Sequence, residues 1–466
     1  MLFARSLMSI LSILLLLGWD VLSVAPAHAF SIKEEREYGQ KMVAVIRSEF
    51  DLLDYPDINQ YINNLGQEIV TNIGNQYFDY RFYVINNKDF NAFATPSGLI
   101  FMHSGLLETM GNEGELYSVL AHEIGHVVSR HIAGRIDNAA KINAATLALV
   151  LAGIALGGGA LSQALVTGGL ATGAAMSMAY TRQDEEEADR KAYNYMIKTG
   201  RDPKDMVTML KKMYKVNQLH MGEVPQYLLT HPKPELRMGY VEDLIHMSEA
   251  GHFPEKDQFD FNRIKCRVMS YGKQPQELKA FYQKKIRTAE EPFGRHMATY
   301  GLALAYHDQG QYALAEEEFK KVIAAFPDKP ILLTDLGLVY FKSGRLHKAQ
   351  ELFDKARNLD PGDWYASYNL AVSLTTSGDD KRALQLYKQL VGVMPDFAGG
   401  YFQIAGIYSR QGDQRLAHLN LGRSFYFKGQ FKPATYHLQK ASEMLANDPA
   451  IQHEIDEMLK IIKELK

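Results

Sequence analysis

From about residue 260 onward, small residues recur along the chain at a fixed spacing of 34 positions. They are Gly310, Gly344, Gly378 and Gly412, then Ala315, Ala349, Ala383 and Ala417, and finally Pro327, Pro361 and Pro395. In such a unit a glycine permits the tight turn between two antiparallel helices, and a small alanine lets those helices approach closely. Stacked units bury their apolar faces against their neighbours, so the pattern predicts an α-solenoid that binds a protein partner.

The preceding part of the chain, from Ser31 to about residue 250, mixes helical spacing with one strand-like run. Between Leu116 and Val128 most apolar residues are spaced for one helical face, which predicts a helix with a buried side. The largely apolar run from Ser97 to His103 predicts a strand that leads into a further helix. We therefore expect a compact helical domain with a small β-sheet, and a chain of the mainly α class.

Residues 142–181 form a charge-free segment that fits neither pattern. Its forty residues are rich in Ala, Gly and Leu. Two buried helices or a lid over a cleft would explain this composition, and so would a hairpin that contacts the membrane. The many glycines argue against a full transmembrane span.

The first 29 residues predict a cleaved export signal. They contain Arg5, an apolar run and the small-residue ending Ala27-His28-Ala29, and an uncleaved anchor is the alternative. We place a signal peptide at residues 1–29, a first domain at 30–255 and the repeat domain at 256–466.

The overall composition narrows the choice of partners. The chain is 46% hydrophobic and 23% charged, as is usual for a globular protein. Its 51 Lys and Arg against 54 Asp and Glu give no basic field, so nucleic acid is not expected as a partner. Because Cys266 is the sole cysteine, no intramolecular disulfide can form.

The stretch His122-Glu123-Ile124-Gly125-His126 places an H-E-x-x-H motif inside the predicted helix. Residues four apart share a helix face, so both imidazoles can reach one metal ion, while Glu123 lies close enough to act as a general base. Two histidines satisfied by hydrogen bonds are the default explanation for H-x-x-x-H alone. The added glutamate favours a metal site.

A third ligand has to come from elsewhere in the chain. The continuation H-x-x-G-x-x-H would need Gly and His where Ser129 and Ile132 stand, so His131 is expected on the surface or behind a ligand. In the acidic stretch 184–189, Glu185 and Asp189 share a helix face, so that one can bind metal while the other orients a ligand histidine. Favourable acids in the first turn of a helix would also explain them.

Four stretches resemble the zinc metallopeptidase family that includes the CAAX prenyl proteases and their bacterial relatives. They are Asn91 to Leu107, His122 to His126, Glu185-x-x-x-Asp189, and Thr230-His231-Pro232 with Arg237. They cover roughly residues 33 to 245, and the array after them resembles the tetratricopeptide repeat. The resemblance implies an α-helical zincin-like metallopeptidase domain with a small β-sheet, followed by a tetratricopeptide α-solenoid.

The resemblance also implies a role for each matching residue. It implies one zinc ion per chain with three ligands, namely His122, His126 and Glu185. Glu123 would be the general base and Asp189 would orient a ligand. His231 and Arg237 are candidates for stabilising the oxyanion, although a surface helix start would also explain both. His231 could instead occupy the fourth zinc position and hold the enzyme inactive.

The predicted strand beside the zinc cleft is the candidate substrate-binding element. Its residues are Gly98, Leu99, Ile100 and Phe101. An exposed strand can take up unfolded protein as a further strand through backbone hydrogen bonds, which ignore sequence. Broad specificity would follow, and packing alone is the other explanation.

For the whole chain, the resemblance implies an exported, periplasmic zinc endopeptidase that degrades misfolded or stalled proteins during assembly and quality control of outer-membrane proteins. Its repeats would recruit unfolded or misassembled substrates, or the outer-membrane assembly machinery. The alternative is a chaperone-like scaffold with a silent or autoinhibited peptidase domain, which the intact ligands and base argue against. The absence of several long apolar spans in the sequence argues against a membrane-embedded processor of prenylated peptides.

Overall fold

The computed structural model describes residues 31–74, 76–138, 180–219, 227, 230–248 and 251–465. The predicted signal peptide at 1–29 and nearly all of the charge-free segment at 142–181 lie outside the described residues, so both interpretations stay predictions. Within the described ranges no helix has the length and hydropathy needed to cross a membrane.

The N-terminal part, residues 31–248, packs helices around one small sheet. Its elements are α1 (Ile32–Glu49), α2 (Pro56–Asn72), β1 (Arg81–Ile85), β2 (Ala92–Ala94), β3 (Leu99–His103), α3 (Ser104–Thr109), α4 (Glu113–Val128), α5 (His131–Asn138), α6 (Arg182–Lys198), α7 (Lys204–Leu219) and α8 (Pro234–Met247). Local sequence fixes several helix starts. A capping box with Ser31 begins α1 and one with Thr181 begins α6, while the Asn112 side chain caps α4.

The sheet has the strand order β1-β3-β2. β3 pairs in parallel with β1 and antiparallel with β2. The expectation that residues 98–101 form an exposed strand for substrate is therefore wrong, because both edges of β3 are occupied. On the outer edge of β1, the side-chain amides of Asn63 and Gln67 bond to the backbone of Phe82 and Tyr80. In the described part of the chain, β2 has a partner strand on one side only.

Each face of the sheet is buried against different helices. Phe82, Ile100 and Met102 belong to the main core, together with apolar residues of α2 and α4. Phe101 lies on the opposite face and packs with Ile46 of α1. Because β2 packs against α4 in this core, the sheet fixes the helix that carries the H-E-x-x-H motif.

The C-terminal part, residues 251–465, is an array of helices. They are α9 (Phe259–Gly272), α10 (Pro275–Thr288), α11 (Pro292–Asp308), α12 (Tyr312–Ala325), α13 (Ile331–Lys342), α14 (Leu346–Leu359), α15 (Trp364–Ser377), α16 (Asp380–Val393), α17 (Ala398–Arg410), α18 (Gln414–Phe427), α19 (Phe431–Met444) and α20 (Pro449–Glu464). The periodic glycines have positive φ in the turns, and the periodic alanines are buried between helices. The mainly α fold with a small sheet and a helical solenoid is thus confirmed.

Buried charged residues join the two parts. Arg263 of α9 donates to Asp57 of α2 at 3.2 Å and to Asp335 of α13 at 2.8 Å. Arg267 donates to Asp57 at 2.8 Å. The amide of Gln60 on α2 bonds twice to the backbone of the loop before α15. The repeats are therefore anchored on the same helix, α2, that caps the outer edge of β1.

Candidate metal centre

Helix α4 brings His122, Glu123 and His126 into the interior, where they are 0 to 2% exposed. Gly125 lets α6 approach this helix closely. An added Cβ at Gly125 would lie 2.9 Å from the carbonyl oxygen of Ala188, so a larger residue would push the two helices apart. The close approach explains how the carboxylate of Glu185, on the first turn of α6, reaches the two imidazoles.

Four ligand atoms converge at this point. They belong to His122, His126, Glu185 and His231, all of them buried. The Nε2 atom of His122 lies 3.0 Å from that of His126 and 3.3 Å from Nδ1 of His231. Oε1 of Glu185 lies 3.4 Å from His126 Nε2 and 2.9 Å from His231 Nδ1.

These separations suit a metal ion. Zn–N bonds of about 2.0 to 2.1 Å in a tetrahedron put neighbouring ligand atoms roughly 3.3 Å apart. Three neutral nitrogens and one carboxylate are a donor set typical of zinc, although other divalent ions accept it. Both oxygens of Glu123 and the Nε2 atom of His231 are buried and have no hydrogen-bond partner among the described residues. Such orphaned polar atoms indicate a site built for further groups.

A carboxylate and an arginine hold the ligands from behind. Asp189 Oδ1 lies 2.7 Å from Nδ1 of His122, which leaves Nε2 of that ring directed into the cluster. Arg237 donates to Asp189 through Nε and Nη2, each at 2.8 Å, and its Nη1 lies 2.7 Å from Glu185 Oε2. The hydroxyl of Tyr240 also donates to Asp189.

Aromatic rings fix the planes of two imidazoles. Tyr180 stacks on His126 with ring centroids 3.8 Å apart, and Tyr227 stacks on His231 at 4.3 Å. Burial, with nearby carboxylates, keeps the pKa of both tyrosine hydroxyls well above the usual value. Both side chains are therefore neutral in the working range of pH.

The three buried carboxyl groups of the site differ in the direction of their pKa shifts. Burial raises the pKa of Glu123, and the nearby His231 and His122 offset this only in part. Burial would also raise the pKa of Glu185, but His231 and Arg237 outweigh it and hold that pKa well below the usual value. For Asp189, Arg237 and His122 likewise overcome burial and lower the pKa. Glu185 and Asp189 are thus fixed as anions, whereas Glu123 is a carboxyl that takes up a proton more readily.

The structure brings together all of the predicted polar site residues, but it gives Arg237 different neighbours from those expected. Its Nε and Nη2 atoms donate to Asp189, whereas Nη1, 2.7 Å from Glu185 Oε2, makes no hydrogen bond within the described residues, so the oxyanion role stays a prediction. Sequence reasoning missed Tyr180, Tyr227 and Tyr240, since no local spacing marks them. For His131 it left two positions open, and the structure places its ring against His126.

Comparisons with known proteins agree with this geometry. Residues 56–245 match the sequence profile of peptidase family M48, and residues 295–362 and 334–398 match profiles of the tetratricopeptide repeat. The beta-barrel assembly-enhancing protease of Yersinia pestis is 29% identical over 398 residues, which are 83% of this chain and 80% of that protein. The protein of the same name from Escherichia coli K12 is 26% identical over 444 residues, which are 94% of this chain and 89% of that protein.

A third relative is similar to this chain over a smaller share of its length. The metalloprotease LoiP of Escherichia coli K12 is 29% identical over 182 residues, which are 39% of this chain and 68% of that protein. The metal-binding geometry, the profile matches and these relatives lead to one assignment. The chain carries a metalloendopeptidase domain, of which residues 56–245 match peptidase family M48, and C-terminal tetratricopeptide repeats follow it.

Proposed function

We propose that this protein is an exported, periplasmic zinc endopeptidase that degrades misfolded or stalled proteins during outer-membrane protein assembly. The observation that carries the proposal is the buried cluster of His122, His126, Glu185 and His231 beside the unpaired carboxyl of Glu123. The finer relation to the CAAX prenyl proteases stays a prediction.

Bound zinc supplies Lewis-acid chemistry to such a site. His122, His126 and Glu185 hold the ion in the proposal. Glu123 accepts the proton of the attacking water and returns it to the leaving amine, a double role for which a raised pKa is suited. Its lack of any hydrogen-bond partner in the described residues leaves both of its oxygens available for that transfer.

His231 closes the site as a fourth ligand in this proposal. Its Nδ1 atom lies among the other ligand atoms, and its Nε2 atom lies 3.6 Å from Oε1 of Glu123. A ring in that place competes with the carbonyl group of a substrate. Arg237 holds Asp189 through two hydrogen bonds and Glu185 through an ion pair at 2.7 Å, and so keeps both carboxylates in position.

Substrate is taken up as a strand along β2 in this proposal. β2 packs against α4 and, within the described residues, has a partner strand on one side only. At this edge the backbone N–H and C=O groups of Ala92 and Ala94 would pair with the new strand. Such backbone pairing accepts unfolded chains of many sequences. The outer edge of β1 is already occupied by the amides of Asn63 and Gln67.

The repeats recruit substrate or the outer-membrane assembly machinery. Two observations support this part of the proposal. Relatives that cover most of this chain are named for β-barrel assembly, and tetratricopeptide arrays are surfaces for binding protein segments. Anchoring of the array on α2 keeps a captured protein close to the sheet.

A metal and activity assay on the full mature chain tests the proposal. We expect about one equivalent of zinc per chain by elemental analysis and cleavage of unfolded casein. Glu123→Gln should keep the metal and lose cleavage, whereas Glu185→Ala should lose both. Glu186→Ala is the matched control, because it removes the neighbouring, partly exposed carboxylate of α6 and should change neither.

Two outcomes would count against the proposal. Absence of metal from both the parent and the Glu185→Ala protein would leave a scaffold whose repeats carry the function. Unchanged cleavage by Glu123→Gln would exclude the general base. For His231→Ala, a rise in basal cleavage fits a closing ligand, whereas a fall fits a residue that stabilises the transition state.

A further inference from the structure

His131 lies directly behind one of the proposed metal ligands. Its Nδ1 atom is 2.9 Å from Nδ1 of His126, and its side chain is only 7% exposed. On its other side, Nε2 faces the carboxylates of Glu187 at 3.5 Å and Asp184 at 3.8 Å. His126 is thus linked to two acidic residues near the start of α6 through a second imidazole.

With a metal ion bound to His126, these contacts would fix where each proton lies. His126 directs Nε2 to the cluster, so a metal ion requires the lone pair of that atom and the proton resides on Nδ1. That N–H must donate to His131 Nδ1, which therefore carries its own proton on Nε2. The Nε2–H in turn points at Glu187 and Asp184. One arrangement of protons satisfies every atom of this chain of contacts.

The backbone around His131 is shaped to make this contact. Arg130, between α4 and α5, has φ of 53°, a left-handed conformation that costs a residue with a side chain about 1 to 2 kcal/mol. This turn brings a residue five positions after His126 back against its ring. The buried carboxylate of Glu35 on α1 accepts from Arg130 Nε at 2.8 Å and holds the turn.

We propose that His131 is a positioning residue that orients His126 for metal binding, and that Glu187 and Asp184 anchor it. The inference rests on the proposed zinc site. Asp189 contacts the ring of His122 directly, whereas the carboxylates behind His126 act on its ring through the imidazole of His131. Removal of such an outer partner weakens metal binding by about 10-fold to 100-fold.

The test compares two replacements of His131 in the full mature chain. An asparagine places its Oδ1 close to the position of the histidine Nδ1 and keeps the acceptor for His126, whereas a leucine of similar size removes it. Zinc affinity is measured by competition with a chromophoric chelator. We expect His131→Leu to weaken zinc binding about 10-fold to 100-fold and His131→Asn to stay within about threefold of the parent.

The controls separate positioning from folding. His246→Leu removes an exposed histidine of α8 and should leave zinc affinity unchanged. The thermal midpoints of the zinc-free His131 variants should lie close together. Equal zinc affinity for His131→Leu and the parent overturns the inference, and so does an equal loss in both His131 variants. If the parent itself binds no zinc, the inference and the proposed function both fail. If the parent binds zinc and His131→Leu binds it equally well, only the inference fails.

Discussion

Asp189→Ala should reduce two separate quantities, the free energy of unfolding and the affinity for metal. The carboxylate is fully buried and accepts from His122, Arg237 and Tyr240. Its removal leaves Arg237, itself only 4% exposed, with Glu185 as its remaining carboxylate at 2.7 Å. Breaking a buried ion pair from one side costs about 3 to 5 kcal/mol. Because Glu185 remains, we expect the lower end, about 3 kcal/mol.

The loss of metal affinity has a different physical origin. Without Asp189 the ring of His122 can rotate or change tautomer, so Nε2 is no longer fixed toward the ion. A loss of about 10-fold to 100-fold corresponds to roughly 1.4 to 2.7 kcal/mol of binding free energy. This second loss appears only when metal is present.

Urea unfolding with chelator and zinc competition measure the two losses independently. The control Glu186→Ala removes another carboxylate of α6, whose partner is the exposed Arg190 at 2.8 Å, and should cost no more than about 0.5 kcal/mol. The reasoning is refuted if, in the presence of chelator, the free energy of unfolding of Asp189→Ala lies within about 0.5 kcal/mol of that of the parent. The buried charge of Arg237 would then not depend on Asp189.

Three further perturbations probe the repeats and their junction with the N-terminal part. Burial raises the pKa of Asp363, the N-cap of α15, to about 6, so its contribution to folding is present below about pH 4 and lost as the pH rises through 6. Asp363→Asn keeps the helix cap but removes the charge. The free energy of unfolding of this variant, relative to the parent, should therefore rise by about 3 kcal/mol between pH 4 and 8 in urea titrations. A difference between the two proteins that does not change with pH would contradict this. Asp335→Ala leaves the buried Arg263 with one carboxylate partner, Asp57 on α2, and should therefore cost about 3 kcal/mol. A loss under about 1 kcal/mol would show that the charge is solvated. Gly412→Ala, whose added Cβ meets open space, should cost about 1 to 2 kcal/mol by thermal unfolding. Gly429→Ala should cost more, because its Cβ would lie 2.1 Å from a carbonyl oxygen of α1. Equal losses in the two variants would show that α1 moves away from the added Cβ.

Local spacing was enough to predict the parts of the site that lie within single helices. The separation of His122 and His126 is fixed by the helical turn, as is that of Glu185 and Asp189. The 34-residue period similarly predicts helix pairs, because each pair packs mainly with its neighbours along the chain.

Features that depend on distant contacts were not predictable in this way. β3 is a run of mostly apolar residues, but nothing in that pattern shows that it has a neighbour on each side. The position of His131 depends on the left-handed conformation of Arg130, which sequence does not announce. The neighbours of Arg237 come from a helix that lies almost 50 residues earlier in the chain.

Helix α9 belongs to both hydrophobic cores at once. Phe261, Ile264 and Val268 pack in the core of the N-terminal part, whereas Phe259 and Met269 pack in that of the first repeats. The metallopeptidase part and the repeats are therefore not separable modules. A chain cut just before α9 would leave an apolar groove on the catalytic fragment, which is the sort of defect that quality-control proteases recognise. Intact and truncated copies in one compartment would then differ in lifetime, so the fold itself would mark for removal any metallopeptidase fragment that lacks the repeats.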